Sequence, residues 1–419
     1  MDSIKIDNDR LIKFRETFKG AVIGPSDSLY EQARKVWNHM IDRRPALIAQ
    51  CADTLDVVRA VKFAEENDLP VAVRGGGHNV AGYAVCDNGM VIDMSTMRHV
   101  TVDPESRSVR VGAGARWADV DQATQPYGLA APGGEVSETG IAGLTLGGGV
   151  GYLRRKHGLS CDNLLSVDMV TSDGLTITAN ENENADLFWA LRGGGGNFGV
   201  VTEFEYRLHP VGPEVMTLNT FYPIEAAEYV FSAWLKFTRS APDEATTAFA
   251  IWQIPEDPDL PAALHGKPVC LFDGMYAGST DTGEEIFRPL RELVEGAATR
   301  PNPAILVTLR HLGGAISRTS SEATAFSNRQ AEFMLSIDGG WTDPNESERN
   351  IAWIRQFWDT VRPFSNGGMY LNFPGFDDGK DVRWQTSHGP NYDRLVSIKG
   401  KYDPSNRFRF NQNIKPVSI

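Results

Sequence analysis

Three glycine-rich runs in the first half of this 419-residue chain constrain its fold more than any other feature. They are Gly75-Gly76-Gly77, residues 140–151, and residues 193–196. Glycine inside a helix or strand costs conformational entropy, and the second run has six glycines in twelve residues. We therefore interpret the second run as backbone that closely approaches a large ligand.

The first run follows an apolar segment, residues 71–73, that is typical of a β-strand. Consecutive glycines expose backbone N–H groups, which suits a pyrophosphate. For the glycines alone, a tight turn is an equally good interpretation. Arg74 and His78 favour the ligand, because they place a cation and a nucleophilic imidazole at either end of the run.

The third run lies between a predicted helix, residues 185–191, and a predicted strand, residues 199–206. A dinucleotide fingerprint has the reverse order, a strand followed by glycines and then a helix. This order argues against a nicotinamide-binding Rossmann unit. Neither of the other runs has the G-x-x-x-x-G-K-[ST] pattern of a P-loop ATPase.

The formal net charge of −13 argues against binding to nucleic acid. The densest basic run, Arg154-Arg155-Lys156, is expected to be a solvated or locally paired surface patch. Four scattered cysteines without a Cys-x-x-Cys pair argue against a zinc site or a disulfide framework. We read no secretory signal in residues 1–17 and no apolar run of membrane-spanning length, so we expect a cytoplasmic protein without a membrane partner.

The pattern of apolar residues predicts an α+β protein. Residues 1–210 mix short strands and helices, including a helix at 29–37. Residues 211–390 alternate longer strands with helices, which predicts one antiparallel sheet with helices on one face. Residues 369–373 are predicted to be its last strand, and residues 391–419 a closing segment.

Taken in order, the motifs resemble the FAD domain of the vanillyl-alcohol-oxidase superfamily, and specifically its berberine-bridge-enzyme-like branch of bacterial type. The N-terminal motifs are Arg74-Gly75-Gly76-Gly77-His78-Asn79, the 140–151 run and Arg192-Gly193-Gly194-Gly195-Gly196-Asn197-Phe198-Gly199. The C-terminal motifs are Tyr370-Leu371-Asn372-Phe373, Asn391-Tyr392-Asp393-Arg394-Leu395, Tyr402-Asp403-Pro404-Ser405-Asn406-Arg407-Phe408 and Asn411-Gln412-Asn413-Ile414-Lys415-Pro416. The stretch from Leu312 through Phe326, Arg329 and Trp341 is similar to bacterial members.

The resemblance implies a PCMH-type FAD-binding domain of two α+β subdomains (1–210), a substrate domain with a helix-covered antiparallel sheet (211–390) and a C-terminal segment returning to the FAD domain (391–419). It also implies that His78 bonds covalently to the flavin, and that the backbone of residues 74–79 holds the pyrophosphate. Many relatives have a second, cysteine tether, and Val136 occupies that position here. We therefore expect a single tether, with Cys51, Cys86 and Cys161 as buried small apolar residues.

Further positions follow from the same resemblance. Thr139 occupies the family's oxygen-gating position. The residues expected to contact FAD are Arg74, Gly75, Gly76, Gly77, His78, Asn79, Thr139, Gly140, Gly143, Gly147, Gly151, Asn163, Val201, Asn411 and Asn413. The family uses no metal at this site, and we predict none.

The residue that accepts the substrate proton is less well defined. Some sugar-oxidising relatives use a tyrosine where this chain has Phe373, which argues against that activity. Tyr370 and Asn372 would share a strand face and are the catalytic candidates, although a core tyrosine and a structural amide are an equally good interpretation. Reserve candidates beside other predicted strands are Trp252, Tyr276, His311, Glu332 and Asp338, of which His311 is more typical of a structural residue.

Together these features predict an FAD-dependent oxidase of a small alcohol, amine or similar substrate. Hydride passes to the flavin, and O2 is the expected acceptor, giving hydrogen peroxide. One alternative is a dehydrogenase of the same fold with another acceptor. A second alternative is a flavin-binding protein without turnover.

Overall fold

The computed structural model describes residues 6–255, 262–291, 305–341, 343–375 and 382–417. Two sheets are built from residues 21–207, and a third from residues 216–339. The α+β fold class predicted from the sequence is confirmed.

The first sheet has four strands in the order β1-β2-β4-β3, and only the β1–β2 pair is antiparallel. Its strands are β1 (Ala21–Ile23), β2 (Leu47–Gln50), β3 (Val71–Arg74) and β4 (Met90–Asp93). The accompanying helices are α1 (Asn8–Thr17), α2 (Tyr30–Ala33) and α3 (Thr54–Glu66). The predicted helix at 29–37 is wrong beyond its first turn, because the Trp37 N–H leaves the helix and donates to the Gly77 carbonyl.

The second sheet is antiparallel, with five strands in the order β5-β6-β10-β8-β9. Its strands, with a short flanking pair β7–β11, are β5 (Val100–Asp103), β6 (Ser108–Gly112), β7 (Leu129–Ala130), β8 (Leu164–Val170), β9 (Thr176–Asn180), β10 (Val200–Arg207) and β11 (His209–Pro210). The helices in this stretch are α4 (Trp117–Thr124), α5 (Ile141–Leu146), α6 (Arg154–His157) and α7 (Ala185–Leu191).

Helix α3 packs between the two N-terminal sheets, in contact with β4 on one side and with β8 and β10 on the other. Asp53 caps this helix by accepting a hydrogen bond from the Asp56 N–H. Val57, Val61 and Ala64 lie at helical spacing and are fully buried. The two sheets therefore share one apolar core, and the loops at its edge are held in fixed positions.

The third sheet is antiparallel, with five strands in the order β12-β14-β13-β15-β16. Its strands are β12 (Met216–Pro223), β13 (Ala245–Gln253), β14 (Pro268–Tyr276), β15 (Ile305–His311) and β16 (Phe333–Gly339). The remaining helices are α8 (Ala227–Thr238), α9 (Thr280–Arg291), α10 (Ala315–Arg318), α11 (Ser347–Val361), α12 (Val382–His388) and α13 (Tyr392–Tyr402).

Helices α8 and α9 cover one face of the third sheet, where Trp234 packs on Phe249 and Phe287 packs on Tyr276. The prediction of an antiparallel sheet with helices on one face is thus confirmed. The predicted strand at 369–373 is wrong, because the Phe373 N–H donates to the Tyr370 carbonyl and closes a turn. None of the helices in the described ranges is both long and apolar enough to cross a membrane.

The basic triplet at the start of α6 is not the surface patch expected from the sequence. Arg154 is 1% exposed and donates to the carbonyl oxygens of His311 and Thr247 in the third sheet. Arg155, also buried, donates to the carbonyl oxygens of Ala245 and Leu312. Both guanidinium groups therefore join helix α6, which follows the second glycine run, to the third sheet, and Arg154 also donates to the Gly151 carbonyl.

Candidate functional site

The first two glycine runs are in direct backbone contact. A Cβ atom added at Gly76 would lie 2.5 Å from both Cα and N of Gly140, and the reverse substitution would make the same contact. Real Cβ atoms do not approach backbone so closely, so neither position admits a side chain. Strand β3 ends directly before the first run and so positions it at this contact. The Gly140 backbone is held by an antiparallel β-bridge to Arg116.

A cavity of about 460 Å³ opens beside the first run. This volume is in the range of small-molecule sites in proteins. The cavity is lined by Gln32, Ala33, Lys35, Val36, Trp37, Gln50, Arg74, Gly75, Gly76, Gly77, His78, Asp93, Ser95, Arg98, Gly114, Arg116 and Glu138. Lys35 and Arg116 add positive charge that the glycine motifs do not reveal, since both residues lie outside the glycine runs, whereas Arg98 is paired with Asp119.

His78 has an unusual environment in this cavity. Its ring stacks on the indole of Trp37, with ring centroids 4.6 Å apart. Nε2 is buried and has no hydrogen-bond partner within the described part of the chain. Burial lowers the pKa of His78, which favours the neutral imidazole. A buried nitrogen without a partner is uncommon, and here it suits a bond to a ligand atom.

Arg74 contributes less charge to the cavity than the sequence indicates. Its Nη2 lies 2.8 Å from Asp93 Oδ2 in a buried ion pair, and Nη1 donates to the Lys35 carbonyl. Because Asp93 already neutralises the Arg74 guanidinium, an anion at the first run would be bound by backbone N–H groups and by Lys35 and Arg116. Asn79 stabilises the loop exit, where its Oδ1 accepts from the Tyr83 N–H.

Close packing within the protein explains most glycines of the second run. A Cβ added at Gly147 would overlap the Asn372 amide, one at Gly148 would lie 2.8 Å from the Phe326 ring, and one at Gly151 would overlap the Gly133 carbonyl. Among the six glycines of this run, only Gly143 has no protein atom within 4 Å of an added Cβ. Packing within the protein therefore accounts for five of these six glycines, and Gly143 is the one with open space at its Cβ position.

The third run supports the second. The N–H groups of Gly193 and Gly195 both donate to the Leu146 carbonyl, at 3.1 and 2.9 Å. Asn197 is fully buried, and its Oδ1 accepts from the Ile414 N–H. The C-terminal segment therefore packs directly behind the glycine runs.

Two tail amides have unused acceptors. The Asn411 Nδ2 donates to the carbonyls of Gly196 and Phe408, but its Oδ1 is buried without a partner in the described ranges. The Asn413 Oδ1 is likewise buried and unpaired. Each could accept a hydrogen bond from a ligand donor.

Other expected cofactor residues are engaged with the protein. Asn163 is buried, donates to the carbonyls of His157 and Leu159, and hydrogen-bonds His209 Nε2 at 2.6 Å. Val201 is buried in β10. The backbone of Thr139 bonds to Val136 and Trp117, which fixes the residue beside Gly140.

Tyr370 and Asn372 meet although their segment is a turn. The phenol oxygen of Tyr370 accepts from the N–H groups of Gly149 and Val150 and from Asn372 Nδ2, at 3.2, 2.9 and 2.9 Å. Asn372 Nδ2 also donates to the Leu144 carbonyl. Burial raises the pKa of Tyr370 to about 12. This geometry fits a pair that holds the second run in place.

The uncovered face of the third sheet carries a charged cluster that sequence reasoning missed. Asp273 Oδ2 accepts a 2.8 Å hydrogen bond from the Tyr152 hydroxyl. Glu135 forms ion pairs with Arg154 and Arg310, at 3.0 and 3.1 Å. The sequence does contain one signal for this cluster, because Asp273 is the lone charged residue in the otherwise apolar strand β14.

The reserve candidates divide between the two sheet faces. Alternation along β13 and β16 places Trp252 and Asp338 on the uncovered face. Tyr276 packs in the helix-covered core. His311 hydrogen-bonds Arg155 Nη1, and burial together with that arginine lowers its pKa to about 3, so it is a neutral structural residue. Glu332 precedes β16 and is exposed.

The cysteine expectation is confirmed. Cys51, Cys86, Cys161 and Cys270 are buried, unpaired thiols. Burial raises the pKa of Cys86 to about 12 and that of Cys270 to about 11, so these thiols are unreactive at neutral pH. Val136 is 52% exposed. No cluster of three or more metal-ligating side chains occurs among the described residues.

Two family descriptions match the chain. The first, FAD binding domain, matches residues 45–180, and the second, berberine and berberine like, matches residues 369–415. The first match contains the two glycine runs in contact and most of the residues that line the cavity, including His78. The second contains the tail that packs behind them.

Full-length relatives give the same result. An uncharacterized FAD-linked oxidoreductase of Bacillus subtilis, YgaK, is 30% identical, over 95% of this chain and 97% of its own. The FAD-linked oxidoreductase pgmH of Aspergillus terreus is 42% identical, over 96% and 95%. The crystal structure of 6-hydroxy-D-nicotine oxidase from Arthrobacter nicotinovorans superposes with a TM-score of 0.83 at 25% identity, covering 98% of this chain and 100% of that one.

Proposed function

Because this chain belongs to the berberine-bridge-enzyme-like family of FAD-linked oxidoreductases, we propose that it oxidises a small alcohol or amine with FAD bound covalently through His78. O2 is the proposed electron acceptor, and hydrogen peroxide the second product. The observation that carries this proposal is the buried Nε2 of His78, which is unpaired in the described structure and belongs to a residue that lines the cavity beside the first glycine run.

The residues present fit FAD. Backbone N–H groups of the first run, with Lys35 and Arg116, would hold the pyrophosphate. The Oδ1 atoms of Asn411 and Asn413 would accept from ring N–H donors. Bound FAD would supply a two-electron acceptor for hydride.

The positions of the cysteines support a single covalent bond between the chain and FAD. Val136 replaces the second attachment residue, and the nearest cysteine in sequence beyond the second run, Cys161, is buried behind that run, where its N–H donates to the Gly148 carbonyl. Cys161 is also absent from the lining of the cavity, which supports a single tether. His78 would therefore be the sole covalent anchor.

The rest of the site is proposed to bind and orient the substrate between the glycine runs and the uncovered face of the third sheet. Tyr370 and Asn372 keep the second run in place there. Arg154 and Arg310 provide fixed positive charge, balanced by Glu135. A hydroxyl or amine substrate would thus meet preorganised polar groups in a largely water-excluded site.

The experiment that tests the proposed function is anaerobic mixing of the yellow holoprotein with a panel of alcohols, amines and hydroxylated heterocycles. We expect at least one compound to bleach the flavin absorbance, and air to restore it within seconds with formation of peroxide. Restoration that takes many minutes in air, but is fast with an artificial acceptor, would instead identify a dehydrogenase. A flavin that no panel member bleaches would contradict the proposed oxidation.

A glycine substitution tests where the flavin lies. We expect Gly143→Ala to lower the flavin content of the purified protein several-fold, because its Cβ meets no protein atom and would meet the cofactor. Gly400→Ala is the matched control, since Gly400 is also helical, with no atom within 4 Å of an added Cβ. Alanine favours both helices by about 1 kcal/mol, so neither variant should melt at a lower temperature. Full flavin content in Gly143→Ala would show that this face is not in contact with FAD.

A further inference from the structure

One row of side chains crosses the uncovered face of the third sheet. In the strand register, Asp273 of β14 is the partner of Ala248 of β13, and Ala248 is the partner of Arg310 of β15. Adjacent strands are about 4.8 Å apart, so Asp273 and Arg310 flank the small Ala248 side chain at about 10 Å. The neighbouring Phe272 and Phe249 point into the helix-covered core, so Asp273 points the other way.

Asp273 is held from one side only. The Tyr152 hydroxyl, one residue beyond the second glycine run, donates to Oδ2 at 2.8 Å. The other oxygen, Oδ1, has no hydrogen bond within the described ranges. The carboxylate is therefore oriented between the glycine run and the sheet, with one oxygen available to a substrate.

The charges around Asp273 are balanced. Tyr152, Glu135, Arg154 and Arg310 are the titratable groups that act on it. Burial and Glu135 raise the pKa of Asp273, while the Tyr152 hydrogen bond and the two arginines lower it, and the net direction is upward. A carboxylate with a raised pKa is a stronger base once it is ionised. Arg154 and Arg310 balance the charges of Glu135 and Asp273, so the ionised form of Asp273 is stabilised in this buried position.

The other candidate bases are less suitable. Tyr370 already accepts three hydrogen bonds. His311 lies on the helix-covered face of the third sheet, where its Nε2 is hydrogen-bonded to Arg155. Glu135 is bonded to two arginines. Asp273 alone among these groups combines an orienting donor with an unoccupied oxygen.

We propose that Asp273 is the catalytic proton acceptor of this enzyme and that Tyr152 is its positioning residue. The inference rests on the proposed oxidation. The substrate's O–H or N–H bond breaks and its proton goes to Asp273 Oδ1. The hydrogen on the adjacent carbon leaves with its electron pair as the hydride assigned to FAD, so a C=O or C=N bond forms.

The test is stopped-flow measurement of anaerobic flavin reduction in the holoprotein, with a compound that bleaches the wild type. Asp273→Asn keeps the size and an acceptor for Tyr152. We expect it to slow reduction about 10²- to 10⁴-fold, as for loss of a general base. Flavin content and melting temperature should stay those of the wild type. Asp281→Asn is the matched control, an exposed carboxylate on α9, and should reduce at the wild-type rate.

Tyr152→Phe tests whether Tyr152 orients Asp273 through its hydroxyl or only fills space beside it. Removal of the hydrogen bond raises the pKa of Asp273 further, so the acidic limb of the rate profile should move to higher pH while the alkaline plateau is largely retained. An unmoved limb would contradict the role of Tyr152. Asp273→Asn reducing at the wild-type rate would overturn the role of Asp273 and leave the proposed oxidation intact. A wild type that no compound reduces would overturn both.

Discussion

Replacing His78 with alanine should yield a protein that is colourless after denaturation, because His78 is the proposed point of attachment and none of the four buried cysteines lines the cavity. FAD that remains would be held only by non-covalent contacts and should be lost on dilution and gel filtration. The proposed covalent substituent would also withdraw electrons from the flavin. We therefore expect residual bound FAD to be reduced about tenfold more slowly, which equals about 1.4 kcal/mol of activation free energy.

His39→Ala is the matched control for this substitution. His39 is exposed and lies two residues beyond Trp37, in the segment that packs on His78. It should retain the full flavin content and its yellow colour in denaturant. A yellow denatured His78→Ala chain would show that another residue carries the flavin.

The second large effect concerns stability. Arg154→Met should lower the free energy of unfolding by about 3–5 kcal/mol, the usual cost of breaking a buried ion pair by removing one partner. The substitution abolishes four hydrogen bonds, to Glu135 and to the carbonyls of Gly151, Thr247 and His311. The second glycine run would then lose its strongest connection to the third sheet. Urea unfolding of the holoprotein, followed by flavin and tryptophan fluorescence, measures this loss.

Arg318→Met provides the comparison. Arg318 pairs with Asp243 at 2.6 Å, but its side chain is 62% exposed. Exposed ion pairs contribute about 0–1 kcal/mol, so the loss should be small. If both arginine variants lose the same free energy, Arg154 does not have the joining role that its burial indicates.

The proposed cofactor loops could be predicted from the sequence because their signals are local. Gly75, Gly76, Gly77 and His78 are consecutive, and the strand that precedes them can be predicted from the adjacent apolar residues. Tyr370 and Asn372 were correctly paired from a wrong premise, since a turn and not a strand brings them together.

The charged cluster could not be predicted, because it depends on contacts between distant segments. Tyr152 and Asp273 are 121 residues apart, and only the register of the third sheet aligns Asp273 with Arg310. The same reason explains Arg154. A basic triplet is normally solvated, and its burial here depends on carbonyl groups about 90 and 157 residues away along the chain. Side-chain identity alone does not contain that information.

The central claim is that one FAD is bonded to His78. The most direct measurement is the intact mass and absorption spectrum of the acid-denatured wild-type chain, followed by mapping of the flavin-bearing peptide. We expect a yellow denatured chain that is heavier by one FAD, with the adduct on His78. A colourless chain with the mass of the bare sequence, or an adduct on any other residue, would contradict it.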